Sequence, residues 1–293
     1  MSAAELAPAG LARPRAARGP VRGWLRLLRS ELALTFLRWR NLALLAVVAV
    51  LPAVLGIALR LATPRGGGGP ESSFMSQLAG NGVFLTFIAL TIMMTLVLPL
   101  VVAVVSGDSI AGEAGSGTLR YLLTVPAGRT RLLSVKYTAI VAYGLAATLV
   151  VAVVSLVAGI TMFPAGPVTL LSGTTVSLGD GLLRLLFVAL FVAAAMAALG
   201  AIGLAVSTFT EHPIGAIAAV LVLAVASEVA DNVPQFSAVH PFLPTHWWLS
   251  FDSLLRSPVA TADVLHSLLS FGVYAVIFCL IAWARFTSAD ITA

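Results

Sequence analysis

The chain has 293 residues, of which 59% are hydrophobic and only 10% charged, with a mean hydropathy of +1.03 and a formal net charge of +5. Water-soluble domains carry roughly a quarter charged residues, so this composition excludes a water-facing globular fold. The apolar residues fall in runs close to the roughly 20 that cross a hydrocarbon core of about 30 Å, which predicts an all-α membrane protein.

In chain order, residues 1–20 are rich in Ala, Pro and Arg and read as a disordered cytoplasmic tail. Residues 21–40 differ. Val21, Trp24, Leu25, Leu28, Leu32, Phe36 and Trp39 recur at three- and four-residue spacing, while Arg22, Arg26 and Arg29 take another face. That pattern predicts an N-terminal amphipathic helix in the membrane interface, with Trp24 on its apolar side and Arg26 and Arg29 toward anionic headgroups. A plain cytoplasmic extension of the first span is the alternative.

Six transmembrane helices follow, at about Asn41–Leu59, Val83–Ser106, Thr138–Thr161, Leu182–Ser207, Ile214–Ala230 and His266–Arg285. They form a single transmembrane domain over residues 21–285, ahead of a cytoplasmic tail at 286–293. The first apolar run is too long for a cleaved leader and five more follow, so none is expected. Gly66–Gly69 reads as a flexible outer loop. Pro52 and Pro99 each remove an amide donor, so kinks are expected in the first two spans. Thr91 and Thr95 lie one turn apart before Pro99. Their hydroxyls either satisfy backbone freed by the proline or line a translocation path with Met94.

Small residues at Ala189, Ala193, Ala197, Ala201 and Ala205 form a ridge on the fourth span, suited to close helix packing. Glu228, after Ala216, Val220 and Ala224 on one face at the outer end of the fifth, is the main ionisable candidate inside the membrane; a solvated helix end beside Asp231 is the alternative. The long outer segment 231–263 holds Trp247 and Trp248, suited to an interfacial belt, and its length predicts short helices dipping toward the bilayer. His240, His246 and Asp252 match no strong metal spacing. Lone Cys279 in the last span reads as a small hydrophobe.

Orientation follows from basic residues. The N-terminal segment carries eight, the loop after the second span four (Arg120, Arg129, Arg131, Lys136) and the C-terminus one, against four on the other side. The positive-inside rule puts both termini in the cytoplasm. No Gly-Lys-Ser/Thr phosphate cradle, H-E-x-x-H or G-x-S-x-G occurs in the sequence, so an enzyme is not expected.

The loop 107–137 is the most informative segment. Thr118 can cap a short helix from Leu119, whose apolar side is Leu119, Leu122 and Leu123, and Pro126 and Gly128 end it. Glu113, the core Gly117-Thr118-Leu119, Pro126 with Arg129, and Lys136 are the residues by which this stretch resembles the ABC type-2 permease family; the turn 207–216, STFTEHPIGA, is similar too. The resemblance implies the membrane-spanning subunit of an ATP-binding-cassette exporter in the bacterial cell membrane, for a drug, peptide or lipid-like substrate. Two permease chains, identical or different, would each dock a separate ATPase subunit holding ATP and Mg, with no nucleic acid involved. Residues 113–123 would be the cytoplasmic coupling helix: Glu113, Gly117, Thr118, Leu119, Arg120, Leu122 and Leu123, with Glu113 and Arg120 contacting the ATPase or bracing the interfacial helix. An ion-driven carrier using Glu228, or a non-transporting scaffold, are the alternatives.

Overall fold

The computed structural model describes residues 20–62, 81–117, 128–163, 166–170 and 172–288. The N-terminal tail at 1–19, Gly66–Gly69, Thr118, Leu119, Arg120, Leu122, Leu123, Pro126 and the last five residues lie outside them.

Helix α1 spans Pro20–Leu37 and α2 Trp39–Ala62. They are followed by α3 (Val83–Gly115), α4 (Arg129–Met162), α5 (Leu178–Ser207), α6 (Pro213–Asp231) and α7 (Thr261–Ser288). The six from α2 to α7 are long and apolar enough to cross a bilayer, which marks a multi-pass α-helical membrane protein. Between α4 and α5 a two-stranded antiparallel ribbon pairs Val168–Thr169 with Thr175–Val176. The segment between α6 and α7 contains three 3₁₀ turns, at Pro234–Phe236, His240–Phe242 and Trp248–Leu255.

Helix α5 is the hub, packed against α3, α4 and α7. Its alanine ridge faces inward, with Ala189, Ala193, Ala201 and Ala205 buried and Ala197 half-buried. Backbones approach closely here: a Cβ placed on Gly203 would lie 1.9 Å from Ser106 Oγ on α3. Val47, Val50 and Val54 on α2, and Val273, Val276 and Leu280 on α7, remain exposed as an apolar rim for lipid.

Three expectations are corrected. The second span does not stop at Ser106. It continues helically to Gly115, where Gly117, at φ +70°, takes the left-handed turn that ends it. Glu113 is therefore on the end of α3 rather than in a separate coupling helix. The third span begins at Arg129 instead of Thr138; its 34 residues measure about 51 Å at 1.5 Å each, so it overruns the membrane core. Residues 286–288, assigned to a tail, belong to α7. Part of the apolar stripe at 21–40 packs on α4, where Trp24 donates its indole N–H to Ser134 Oγ (3.2 Å) and Phe36 meets Tyr143 with ring centroids 5.2 Å apart, while Leu25 and Trp39 of the same stripe stay exposed.

The proline disturbance also has a particular form. Met93–Val97 is a π-helical turn just before Pro99, which absorbs the missing donor by widening the helix. The hydroxyls of Thr91 and Thr95 donate to the carbonyls of Phe87 (2.9 Å) and Thr91 (3.0 Å). Neither reaches the Thr95 carbonyl, the one whose usual i+4 donor Pro99 removes.

Candidate functional site

At the end of the bundle where α1 meets α2, the overrunning ends of α3 and α4 converge with them. Charge concentrates here in a chain that otherwise has little: of 12 acidic residues, Glu31, Asp108 and Glu113 all meet at this point. Their placement follows from the elements. Glu31 lies on the α1 stripe that faces α4, Asp108 and Glu113 ride the extension of α3, and Lys136 sits two turns into α4.

Lys136 is buried, 1% exposed, and its Nζ donates to Glu113 Oε1 at 2.6 Å and Glu31 Oε1 at 3.0 Å. A buried ammonium is tolerated only when paired and hydrogen-bonded, and two carboxylates from different helices meet that demand. Beside it, Arg38 Nη1 and Arg40 Nη2 each donate to the same oxygen, Asp108 Oδ2, at 2.8 Å. A Cβ on Gly112 would stand 2.5 Å from Asp108 Oδ1, so the glycine one turn on leaves the space the carboxylate occupies. Three cations and three anions thus tie α1, the α1–α2 elbow, α3 and α4 together.

The elbow is fixed by neutral hydrogen bonds as well. Asn41 donates its side-chain amide to the Thr35 carbonyl (2.7 Å), satisfying the end of α1, and Tyr143 donates its hydroxyl to the Asn41 carbonyl (2.6 Å). Arg40 Nε and Asn41 Oδ1 are buried without a hydrogen-bond partner among the described residues and line a small polar cleft with Glu31, Asp108, Glu113 and Lys136.

The remaining helix ends join the same assembly. Arg129 Nη1 donates to the Phe286 and Thr287 carbonyls (3.2 and 2.9 Å) at the C-terminus of α7, where a cation suits the helix dipole. Trp283 donates to Thr130 Oγ1 (2.9 Å), and Arg285 lies over the Phe209 ring. The α5–α6 turn closes on α3: a Cβ on Gly115 would meet the Glu211 carbonyl at 2.6 Å.

Among the residues singled out from sequence, Glu113 and Gly117 belong to this region, Glu113 in the lock and Gly117 at the turn leading away from it. Trp24 is half-buried against α4, whereas Arg26 and Arg29 are exposed on the other side of α1. The path candidates divide: Met94 is fully buried, Thr91 half-buried and Thr95 exposed. Glu228 is half-buried at the far end of α6, next to Ser227, which hydrogen-bonds Thr245 at 2.6 Å. His246 contacts Asp231 Oδ1 (2.6 Å), while Asp252 pairs with Arg256 (3.0 Å), so His240, His246 and Asp252 do not share one centre.

Sequence reading missed Glu31, Arg38, Arg40 and Asp108 as site residues. The available signal was charge balance: two carboxylates just past an apolar run, in a chain whose basic residues crowd the flanking segments. The arrangement holds no nucleophile–base pair. Chemically it can fix and transmit position, since it rigidly joins both helix ends that bracket residues 118–127.

A protein-family model described as "Protein of unknown function (DUF2705)" matches residues 35–292, taking in every member of the ion cluster except Glu31. No curated protein matches the chain.

Proposed function

The chain belongs to the DUF2705 family of proteins of unknown function; from its sequence motif and the ion cluster we propose that it is the permease subunit of an ATP-binding-cassette exporter. The observation that carries the reading is the ion lock itself. Glu113 and Lys136, two residues of the motif resembling the ABC type-2 permeases, bond to each other at 2.6 Å and clasp the two ends of residues 118–127.

In this reading a separate ATPase subunit, which holds ATP and Mg, docks on residues 117–123. Gly117 turns the chain out of α3; Thr118 caps the docking helix; Leu119, Leu122 and Leu123 enter a groove on the ATPase, with Arg120 at the rim. Movement of that helix passes through Glu113 and Lys136 to α3 and α4, and through Glu31 to α1. The helix α1 lies along the cytoplasmic face of the cell membrane with Arg26 and Arg29 turned to headgroups, and both termini are cytoplasmic. A second permease chain completes the pathway, which passes a drug, peptide or lipid-like substrate; Thr91 and Thr95 on α3 are its nearest hydroxyls.

The test is co-expression with ABC ATPase subunits from the same genome, starting with any found to be encoded beside it. The tagged chain is expected to retain one such subunit and its ATP hydrolysis through purification, and Leu119→Glu with Leu122→Glu to release it while the permease still elutes as a folded species. Retention unchanged by both substitutions sinks the docking assignment. Transport that survives ATP depletion, follows a proton gradient and is lost in Glu228→Gln replaces the exporter with an ion-driven carrier.

A further inference from the structure

The ion cluster is neutral as a whole but polarised. Its buried half, Glu31, Glu113 and Lys136, has two negative charges to one positive. Its outer half reverses this, with Arg38 and Arg40 set against Asp108. Both arginine side chains are about half exposed, 49% and 42%, whereas Asp108 is only 12% exposed. The surface therefore presents an excess positive charge whose compensating negative excess is inside the protein.

Position fixes what that charge meets. Arg38 and Arg40 flank Trp39, the first residue of the first spanning helix, and Trp39 is 81% exposed. Leu37 and Leu42 are exposed on either side. Large apolar groups in the open, at the start of a span, belong at the hydrocarbon boundary, and an exposed tryptophan belongs with the headgroups. The two guanidiniums are held at that same level by Asp108, each giving it one hydrogen bond out of five N–H donors.

We propose that Arg38, Trp39 and Arg40 form a binding site for the phosphodiester of an anionic phospholipid, which shares the two guanidiniums with Asp108. Planar guanidinium forks match phosphate oxygens in two-point contacts. The acyl chains run beside Leu37 and Leu42, and the indole of Trp39 lies against the glycerol region. Asp108 acts as the internal competitor, keeping both arginines extended toward the headgroup layer while limiting their affinity. Binding ties the elbow, and through Asp108 the end of α3, to the composition of the surrounding leaflet. The site needs only that α2 crosses a membrane, so it stands independently of any ATPase partner.

The experiment is thermal unfolding of the full chain in maltoside detergent, titrated with dioctanoyl phosphatidylglycerol, dioctanoyl phosphatidylcholine or sn-glycerol 3-phosphate. Phosphatidylglycerol is expected to raise Tm saturably at concentrations where the other two do not. Arg38→Gln with Arg40→Gln is expected to weaken that response by roughly tenfold to thirtyfold, the equivalent of two arginine–headgroup contacts. Arg256→Gln, an exposed arginine at the other end of the bundle, is expected to leave it intact.

The decisive variant is Asp108→Asn, which removes the competitor and is expected to tighten phosphatidylglycerol binding several-fold. If the arginines serve only to hold Asp108, this variant loosens the elbow and binding stays equal or weakens, which overturns the proposal. Equal responses to phosphatidylglycerol and phosphatidylcholine, a response to glycerol 3-phosphate alone, or no response to any of the three also overturn it. Should the double glutamine variant fail to fold, Asp108→Asn and the comparison of the three ligands decide between the outcomes.

Discussion

Lys136 is the only lysine in the chain and, among the described residues, the most deeply buried charge, and its two partners are not equivalent. Glu113 bonds it at 2.6 Å from the end of α3, Glu31 at 3.0 Å from α1. Removing the cation takes away the partner that two neighbouring carboxylates share, a loss of the kind that costs about 3–5 kcal/mol when a buried pair is broken. Lys136→Met is therefore expected to lower Tm in detergent more than any other single change in the cluster. Removing one carboxylate leaves the ammonium still paired, so Glu31→Gln and Glu113→Gln should each cost less, Glu113→Gln the more of the two. Together they should cost more than the sum of their separate effects, because only the double variant strands the cation; additive effects refute the shared lock. Lys136→Arg is not conservative here, since a planar fork replaces a compact ammonium in a fully enclosed space.

At the scale of the helix, close approach is written in the glycines. Gly203 on α5 and Gly144 on α4 both lie mid-helix, yet a Cβ on Gly203 would fall 1.9 Å from Ser106 Oγ and 2.7 Å from Ser106 Cβ, whereas on Gly144 the nearest atoms stand 3.7 Å away. Gly203→Ala is expected to destabilise by about 1–3 kcal/mol, the usual effect of overpacking, and pairing it with Ser106→Gly should recover most of the loss. Gly144→Ala should be neutral or stabilising by up to about 1 kcal/mol through helix propensity. Thermal unfolding of the three variants measures both; a Gly203→Ala protein as stable as the parent denies the α3–α5 contact. The six apolar spans and the alanine ridge were legible in the sequence because hydrocarbon imposes length and composition directly. The extensions of α3 and α4 were not. Past Ser106 the sequence GDSIAGEAG reads as polar loop, and only the basic partners supplied by the elbow and by α4 let Asp108 and Glu113 continue as helix. Tertiary pairing overrode local pattern, and the same override hid Glu31, Arg38 and Arg40 as members of a site. The α1 stripe was read correctly as apolar, but hydropathy does not distinguish lipid from the side of a neighbouring helix, and Trp24 and Phe36 chose α4.

For the whole molecule, the two ends of the bundle differ in kind. One end gathers the ion lock, the Arg129 clamp on α7 and the turn at Glu211. The other pairs ionisable groups, among the described residues, only at the C-terminus of α6 and in the segment after it, Arg256 with Asp252 and His246 with Asp231, and is otherwise held by Asn81 donating to the carbonyls of Gly166 and Pro167 (2.9 and 2.7 Å) and Arg184 to the carbonyls of Leu254 and Arg256. The proposed orientation puts the charged end in the cytoplasm, in keeping with the excess of basic residues there. Cys279 is the only native thiol, so Cys279→Ser provides a background for site-directed labelling. Ser116 and Ser237 are exposed residues at opposite ends, one just past α3 and the other after the first 3₁₀ turn. In intact cells a membrane-impermeant maleimide is expected to label Ser237→Cys and not Ser116→Cys, with both labelled once the membrane is opened. The reverse pattern turns the protein over, puts residues 118–127 beyond reach of any cytoplasmic ATPase and removes the exporter reading. The lipid site at Arg38 and Arg40 survives that reversal, because it depends on the depth of Trp39 in the membrane and not on which leaflet faces it.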